Sequence, residues 1–280
     1  MPHKVLISSC EFGIGKSVLA LAYSQVLGSD RELLSCDYED GQEYYVVPTR
    51  EQADPSKCLF YARRLKAPSV YELQAIVQRI IHPDLSRDDL RIKHQKIDPS
   101  KLSKPVRAVM ADIAAGKLKI GGIAIDTATR LCELYAESFF GPLVETRGLD
   151  YAEKMSRLTW QKVKDDLSEL FYNIIDEAGI ALIMTAWSKN EFDRRSMKNT
   201  GEIVTDVLKN VHAFMALELM LEPNPDSRVR VPRARVTKSR LVSLPRDFVL
   251  ERATWDEILA KEPKFLRAQE PLPEDKETAA

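Results

Sequence analysis

Short apolar runs alternate with longer amphipathic segments along most of this chain. The apolar runs are continuous, as expected for strands buried on both faces of a parallel sheet. Runs of this kind lie at residues 5–7, 119–126 and 179–187, and we predict further strands over residues 32–36, 58–65 and 212–221, which include polar positions. The amphipathic segments predict helices over residues 16–27, 69–81, 104–115 and 156–177. This alternation predicts an α/β fold with a mainly parallel central sheet flanked by helices.

Three segments interrupt this alternation. Residues 82–103 are polar and predict an excursion from the core. Residues 137–157 lack a clear period and contain three helix-breaking glycine or proline positions, so they predict a loop. Residues 188–202 are polar and predict a mobile loop. Each segment separates two predicted elements without adding an apolar run of its own.

The C-terminal part of the chain has a different pattern. The stretch "RARVTKSRLVSLP" alternates in polarity, which predicts a strand, a turn and a second strand, and so an antiparallel hairpin. From Pro263 onward, proline and acidic residues accumulate. We expect one domain over residues 1–262 and a disordered acidic tail over residues 263–280.

Composition narrows the class of protein. No apolar run approaches the roughly 18–20 residues needed to cross a bilayer, so we expect no membrane association. The four cysteines are scattered without a C-x-x-C pair, which favours a reduced, cytoplasmic protein with neither a disulfide framework nor a zinc site. The formal net charge is -1, so any surface that binds nucleic acid must be a local patch.

The first strand leads into "SSCEFGIGKS", which ends like a phosphate-binding loop that opens a helix. Gly13 and Gly15 let backbone N–H groups point towards phosphates. Lys16 supplies a positive charge to the β- and γ-phosphate oxygens, and Ser17 can ligate Mg²⁺. We expect ATP to contact Cys10, Glu11, Phe12, Gly13, Ile14, Gly15, Lys16, Ser17 and Val18.

The loop departs from its motif at one position. Cys10 stands where the pattern G-x-x-x-x-G-K-[ST] has its first glycine. If that position requires a positive φ, the cysteine adds strain on the order of 1 kcal/mol. The alternative interpretation of the segment is a strand-to-helix turn without a ligand.

A nucleotide site of this kind also requires metal and phosphate partners. Asp126 ends an apolar run, and a carboxylate there would hold Mg²⁺ or its water; the alternative is an ordinary polar strand end. Thr185 ends another run, where a hydroxyl could contact the γ-phosphate or position water, although it could equally be a hydrogen-bonded polar cap.

Hydrolysis further requires a carboxylate that orients and deprotonates the attacking water. The turn "CDYEDG" offers Asp37, Glu39 and Asp40. Glu39 would lie in the required place if the strand before it neighbours the strand before the phosphate loop. The alternative is a solvated acidic turn closed by Gly41.

Two cations, Lys238 and Arg240, lie two residues apart on the predicted C-terminal hairpin. Cations on one face of a late strand could reach the γ-phosphate of a neighbouring subunit. The alternative for both side chains is a solvent-facing charge without a catalytic role.

Taken together, these motifs resemble those of the RecA-like P-loop ATPases over about residues 3–250. "LLSCDYEDG" is similar to the strand that carries their catalytic glutamate, which implies Glu39. "IAIDTATRL" is similar to their Mg²⁺-associated strand, which implies Asp126. "KSR" resembles the finger of replicative helicases and KaiC-like proteins, which implies Lys238 and Arg240. The order of segments is most similar to phage-type RecA-like ATPases, including small ones associated with single-strand annealing.

The chain departs from this family at Cys10 and at Trp187, where related chains often carry histidine or glutamine. RecA-like folds bind DNA through two loops. The first would be the loop after Trp187, with Lys189, Arg194, Arg195 and Lys198 as nucleic-acid contacts. The second would lie between Arg228 and Arg246, which holds seven basic residues and no acidic one. The alternatives for these two segments are an ordinary solvated loop and hairpin, or a basic subunit interface.

The sequence therefore predicts an ATP- and Mg²⁺-dependent ATPase that acts as a homo-oligomer in recombination or replication, with single-stranded DNA as a partner. One alternative is a KaiC-like switch ATPase that acts on protein partners without DNA. Another is a small-molecule kinase, for which residues 82–103 are the one candidate lid.

Overall fold

The computed structural model of the chain describes residues 3–9, 11, 13–193, 198–226 and 230–262. Its strands are β1 (Lys4–Ser9), β2 (Glu32–Asp37), β3 (Val46–Val47), β4 (Phe60–Tyr61), β5 (Arg63–Lys66), β6 (Arg91–Ile92), β7 (Gln95–Lys96), β8 (Ile120–Asp126), β9 (Ala181–Thr185), β10 (Ser188–Asp193), β11 (Lys198–Thr205), β12 (Leu217–Glu222), β13 (Arg233–Ser239) and β14 (Val249–Leu250). Its α-helices are α1 (Lys16–Ala22), α2 (Val70–Ile81), α3 (Lys104–Ala114), α4 (Ala128–Arg147), α5 (Leu149–Tyr172), α6 (Lys209–Phe214) and α7 (Trp255–Lys261).

Eight strands form the central sheet, in the order β14-β13-β12-β1-β9-β8-β2-β5. Strands β12, β1, β9, β8, β2 and β5 are parallel to one another. β13 pairs antiparallel with β12, and β14 pairs antiparallel with β13. The fold is therefore α/β with a mainly parallel sheet, and the predicted fold class is confirmed. β8 is buried along its whole length, as its continuous apolar sequence predicts.

Two apolar clusters cover the two faces of this sheet. One contains residues of α2, α3, α4, α5 and α6 packed on the sheet. The other contains residues of α1 and α7 on the opposite face. The parallel strands between them are therefore sandwiched, and polar groups of the core reach solvent mainly at the strand ends.

The prediction of a loop over residues 137–157 was wrong. α4 runs through Pro142 to Arg147, and α5 begins at Leu149, so the two helices form a helical hairpin that turns at Gly148. Many side chains near this turn are exposed, among them Val144, Leu149 and Leu158. The segment lacks an apolar period because little of it packs against the sheet, not because it is irregular.

The prediction of a mobile loop over residues 188–202 was also wrong, because β10 and β11 pair there as an antiparallel hairpin. Near the C-terminus, β13 lies within the predicted hairpin sequence, but its antiparallel partner β14 begins only at Val249. The run 212–221 is shared between α6 and β12, and the run 58–65 divides into β4 and β5. The predicted acidic tail lies outside the described residues.

The predicted excursion, residues 82–103, packs back onto the helices. Leu90, Ile97 and Leu102 are buried in the cluster that contains α2 and α3. Lys93 forms ion pairs with Asp166 and Glu169 of α5. This arrangement places the segment beside the helices rather than over the phosphate loop. None of the described helices combines the length and apolar character needed to cross a membrane.

Candidate nucleotide-binding site

The connection between β1 and α1 requires glycine at two positions. Gly13 has φ +73° and Gly15 has φ +99°, a region that L side chains rarely adopt. A Cβ at either position would meet no neighbouring atom, so backbone conformation rather than space selects glycine. Cys10 and Phe12 lie outside the described residues. Their contacts with ATP, and the strain at Cys10, stay predictions.

Lys16, the first residue of α1, points back towards the end of β1. Its Nζ donates a hydrogen bond to Ser9 Oγ at 2.9 Å. Burial lowers the pKa of Lys16, and the nearby carboxylates of Glu39 and Asp126 act against this shift. An incoming phosphate could replace the neutral Ser9 hydroxyl with a full negative charge, which is a more favourable partner for the ammonium group.

Asp126 lies at the carboxyl end of β8 and is buried. Its Oδ2 accepts a hydrogen bond from Gln42 Nε2 at 3.0 Å, and its Oδ1 accepts one from the hydroxyl of Thr185. These contacts fix the orientation of the carboxylate. A carboxylate oxygen and the Ser17 hydroxyl are oxygen donors of the type that Mg²⁺ prefers, so this donor set fits a magnesium ion.

Thr185 is fully buried at the end of β9. Its hydroxyl donates to Asp126, which makes it a positioning residue for that carboxylate. The predicted contact of Thr185 with ATP stays a prediction.

Glu39 is brought close to Lys16 and Asp126 by a strand pairing other than the one considered from the sequence. The condition stated for Glu39, that its strand neighbours the phosphate-loop strand, is not met, because β9 and β8 lie between β1 and β2. Instead, β2 pairs with β8 in a register that sets Asp37 opposite Asp126. Glu39, two residues beyond Asp37, therefore lies over the carboxyl end of β8.

The carboxylate of Glu39 is held by two donors. Its Oε1 accepts a hydrogen bond from Thr127 Oγ1 at 3.2 Å, and the side chain of Trp187 donates a second. Although much of the side chain is exposed, burial of its carboxyl end raises the pKa of Glu39, and repulsion by Asp126 raises it further. The two hydrogen bonds and Lys16 partly offset these effects. A carboxylate with a raised pKa is a better proton acceptor.

The other two carboxylates of the turn have structural partners. Asp37 is buried, accepts hydrogen bonds from the backbone N–H groups of Glu39 and Gln42, and pairs with Arg64 at 2.8 Å. Asp40 is exposed, and hydrogen bonds led by that from Lys66 lower its pKa. Glu39 is thus the acid of this turn whose pKa is raised by burial and by Asp126 and whose charge acts on Lys16.

Sequence reasoning missed several residues that shape the site. Gln42 is fully buried and bridges two strands, accepting from Ser35 Oγ at 2.6 Å while donating to Asp126. Thr127 holds Glu39, and Arg64 holds the turn through Asp37. Nothing in the local sequence marks these residues, because their contacts depend on the register of β2 against β8.

Lys238 and Arg240 are not brought to this cluster within one protomer. Lys238 pairs with Glu218 at 3.3 Å and also donates to the backbone carbonyl of His212, whereas Arg240 Nη2 donates to the carbonyl of Ala213 at 2.5 Å. The antiparallel register sets Ser239 opposite Leu217, so both cations lie at the amino edge of the parallel strands. The phosphate loop lies at the carboxyl edge. A contact with a neighbouring subunit stays a prediction.

The predicted nucleic-acid contacts lie on or near the β10–β11 hairpin. Lys189 forms an ion pair with Asp206. Lys198 begins β11, and Arg194 and Arg195 lie outside the described residues. The hairpin begins one residue after Trp187, whose side chain contacts Glu39, so its base adjoins the site.

Comparisons with known proteins give likenesses to solved structures but no match in sequence. No protein-family model matches the sequence, and no curated protein matches it. Among solved structures, the chain is similar to the crystal structure of the RadB recombinase, with 14% sequence identity and a TM-score of 0.44 over 89% of this chain and 86% of that chain. A likeness of this degree does not identify the function of the chain.

Proposed function

We propose that this chain is a Mg²⁺-dependent ATPase of the RecA-like type. The observation that carries the proposal is the convergence of Lys16, Asp126 and Glu39 at one edge of the sheet. Lys16 begins the helix that follows β1, Glu39 lies two residues beyond β2, and Asp126 ends β8. Ligands of α/β sheets bind at this edge.

The side chains divide the chemistry of hydrolysis between them. Lys16 and the backbone of the glycine loop bind the β- and γ-phosphates. Ser17 and Asp126 would hold Mg²⁺, which when bound neutralises charge on the phosphate oxygens. Gln42 and Thr185 keep the Asp126 carboxylate in one orientation for this purpose.

Glu39 is the proposed general base. Its carboxylate accepts a proton from water as the water oxygen bonds to the γ-phosphorus. The bond from that phosphorus to the bridging oxygen breaks, and ADP leaves with the bonding electron pair. The raised pKa of Glu39 makes its carboxylate a stronger base than an ordinary glutamate.

We also propose that the chain acts in DNA recombination or replication, and that it does so as a homo-oligomer. The observation that supports a DNA partner is the hydrogen bond from the Trp187 side chain to Glu39 at the base of the β10–β11 hairpin. A strand of nucleic acid bound at the hairpin could alter this contact and so alter the rate. Single-stranded DNA is therefore expected to stimulate hydrolysis.

The test is the rate of phosphate release from ATP by the purified chain, with Mg²⁺ or with a chelator, and with or without single-stranded DNA. We expect Mg²⁺-dependent hydrolysis that Lys16→Ala abolishes, since the phosphates lose their cation. Lys4→Ala, on β1 but paired with Asp176, is the control and should retain activity. A Lys16→Ala protein as active as the wild type would refute the ATPase proposal.

The assays with single-stranded DNA distinguish the proposed function from the alternative functions. Hydrolysis that single-stranded DNA does not change, without salt-dependent DNA binding, would overturn the DNA assignment and favour a switch ATPase that acts on proteins. Transfer of phosphate to a nucleoside would instead favour a kinase. A kinase would need a lid over the phosphate loop. Residues 82–103, the candidate lid, instead pack against α2 and α5.

A further inference from the structure

The hydroxyl group of Thr129 joins two parts of the chain that are far from it in sequence. Thr129 lies in the first turn of α4 and is 5% exposed. Its Oγ1 accepts a hydrogen bond from the backbone N–H of Trp187 at 3.0 Å and donates to the backbone carbonyl of Asp206 at 2.7 Å. A threonine in a helix can bond instead to a carbonyl of the preceding turn, so the helix alone does not impose this arrangement.

These two bonds close the base of the β10–β11 hairpin. Trp187 immediately precedes β10, and Asp206 immediately follows β11. The backbone N–H of Asp206 also donates to the carbonyl of Trp187 at 2.7 Å. The backbone of Trp187 is therefore held by Thr129 and by Asp206, which Thr129 itself holds.

The end of β11 has a second anchor, which does not involve Thr129. Thr205 Oγ1 donates to Ser8 Oγ at 3.1 Å, and Ser8 is buried near the end of β1. This bond fixes β11 to the central sheet beside Ser9, the partner of Lys16. On the other side of the hairpin base, the position of the backbone depends on the Thr129 hydroxyl.

The same turn of α4 also holds Glu39. Thr127, the N-cap residue of α4, donates from its Oγ1 to Glu39 Oε1 at 3.2 Å. The side chain of Trp187 donates to the same carboxylate, and the indole N–H is its one donor. Thr127 and Thr129, two residues apart, thus hold the carboxylate and the backbone of the residue whose indole contacts it.

We propose that Thr129 is a positioning residue for the general base, because its hydroxyl holds Trp187 where the indole N–H meets the Glu39 carboxylate. This inference rests on the proposed role of Glu39 in hydrolysis. Without the hydroxyl, the N–H of Trp187 and the carbonyl of Asp206 would lose a partner, which is costly for buried backbone groups. The base of the hairpin would then shift, and the indole would shift with it.

Nuclear magnetic resonance of the three indole N–H groups tests this contact without ATP. The Trp187 signal is assigned by its loss in Trp187→Phe. In the wild type it should shift as Glu39 titrates, and Glu39→Gln should abolish that shift. In Thr129→Val the midpoint should move to higher pH with a smaller change in the signal, because a weaker bond from the indole stabilises the carboxylate less. Asp126 and Lys16, the charged groups that act on Glu39, are the same in both proteins.

The kinetics of ATP hydrolysis give a second readout. Thr129→Val should lower kcat at least about threefold, the effect of one lost hydrogen bond, and leave the KM for ATP unchanged. Thr129→Ser keeps the hydroxyl and should restore both the wild-type kcat and the wild-type titration. Thr159→Val is the matched control, because Thr159 is a buried helical threonine whose hydroxyl donates to the carbonyl of Met155 within α5. It should match the wild type in both measurements.

An unchanged titration or an unchanged kcat in Thr129→Val would overturn the proposal. So would a Trp187 signal that does not follow Glu39 in the wild type, or a Thr129→Ser protein that behaves like Thr129→Val. If Thr129→Val does not fold, judged by circular dichroism, Thr129→Ala takes its place with the same expected results. If the wild type does not hydrolyse ATP, the proposed function fails, and the titration alone still decides whether Thr129 positions Glu39.

Discussion

At the scale of single residues, the surroundings of each carboxylate determine what it can do. Asp126 is fixed by Gln42 and Thr185, which suits an anion that holds a metal in one place. Glu39 is held more loosely, at the surface, and faces another carboxylate. Asp37, buried and paired with Arg64, stabilises the turn that carries Glu39. In the proposed site, these three neighbouring acids would therefore divide the roles between them: Asp126 would hold the metal, Glu39 would accept the proton, and Asp37 supports the turn.

The pKa of Glu39 predicts how the rate depends on pH. A general base works only when deprotonated, so hydrolysis should fall as the pH drops through a pKa above that of an ordinary glutamate, about 4.3. In the wild type, the hydrogen bond from Trp187 stabilises the Glu39 carboxylate and so lowers the pKa of Glu39. Trp187→Phe removes this hydrogen bond. The acidic limb of kcat/KM should therefore move to higher pH in this variant.

The control is Trp160→Phe, which alters a partly exposed indole of α5 outside the site. Its pH profile should match that of the wild type. An acidic limb that stays in place or moves to lower pH in Trp187→Phe would show that this indole does not stabilise the Glu39 carboxylate.

At the scale of elements, the local sequence predicts the helices and strands that local interactions determine. Ser69 and Glu72 form the capping box that starts α2, and β8 is a continuous apolar run, so both elements are visible in the sequence. The C-terminal half of α4 and the first turns of α5 are not visible, because their exposed side chains give no apolar period, whereas α5 from residue 156 onward is predicted as an amphipathic helix. Lys16 and Asp126 belong to motifs that the local sequence shows. The contacts of Gln42, in contrast, depend on how distant strands pair.

The turn between α4 and α5 gives a test at this scale. Gly148 has φ +83° and ψ 165°, a conformation essentially confined to glycine. We expect Gly148→Ala to lower the free energy of unfolding by about 1–3 kcal/mol, measured by urea denaturation. Gly141→Ala is the matched control. It lies inside α4 with space for a methyl group, so it should raise stability by about 0.5–1 kcal/mol.

Equal effects of the two substitutions would contradict this account of the turn. If Gly148→Ala were neutral, the junction of the two helices would not require the positive φ that Gly148 adopts.

At the scale of the whole molecule, the sheet separates two sets of cations. Lys16 lies at the carboxyl edge, whereas Lys238 and Arg240 lie at the amino edge. β1 has six residues, so these edges are roughly 16 Å apart. Lys238 and Arg240 could therefore act on a nucleotide only across an interface between two copies of the chain.

This geometry predicts complementation between inactive variants. Arg240→Ala is preferable to Lys238→Ala, since removal of Lys238 would leave the buried Glu218 without that cation. Arg240→Ala and Lys16→Ala should each be inactive alone. Mixed, they should regain ATPase activity, because an intact phosphate loop can meet an intact arginine. Arg246→Ala, an exposed control on the same segment, should be active alone. A mixture that stays inactive would contradict action across an interface.

The central claim is that Glu39 activates water in a nucleotide site built from Lys16 and Asp126. Its most direct test is Glu39→Gln, assayed for binding of a fluorescent ATP analogue with Mg²⁺ and for steady-state phosphate release. The neighbouring Asp40→Asn, an exposed residue paired with Lys66, serves as the control. We predict wild-type nucleotide affinity in Glu39→Gln with turnover reduced at least about 100-fold. Hydrolysis by Glu39→Gln at the wild-type rate would contradict this account.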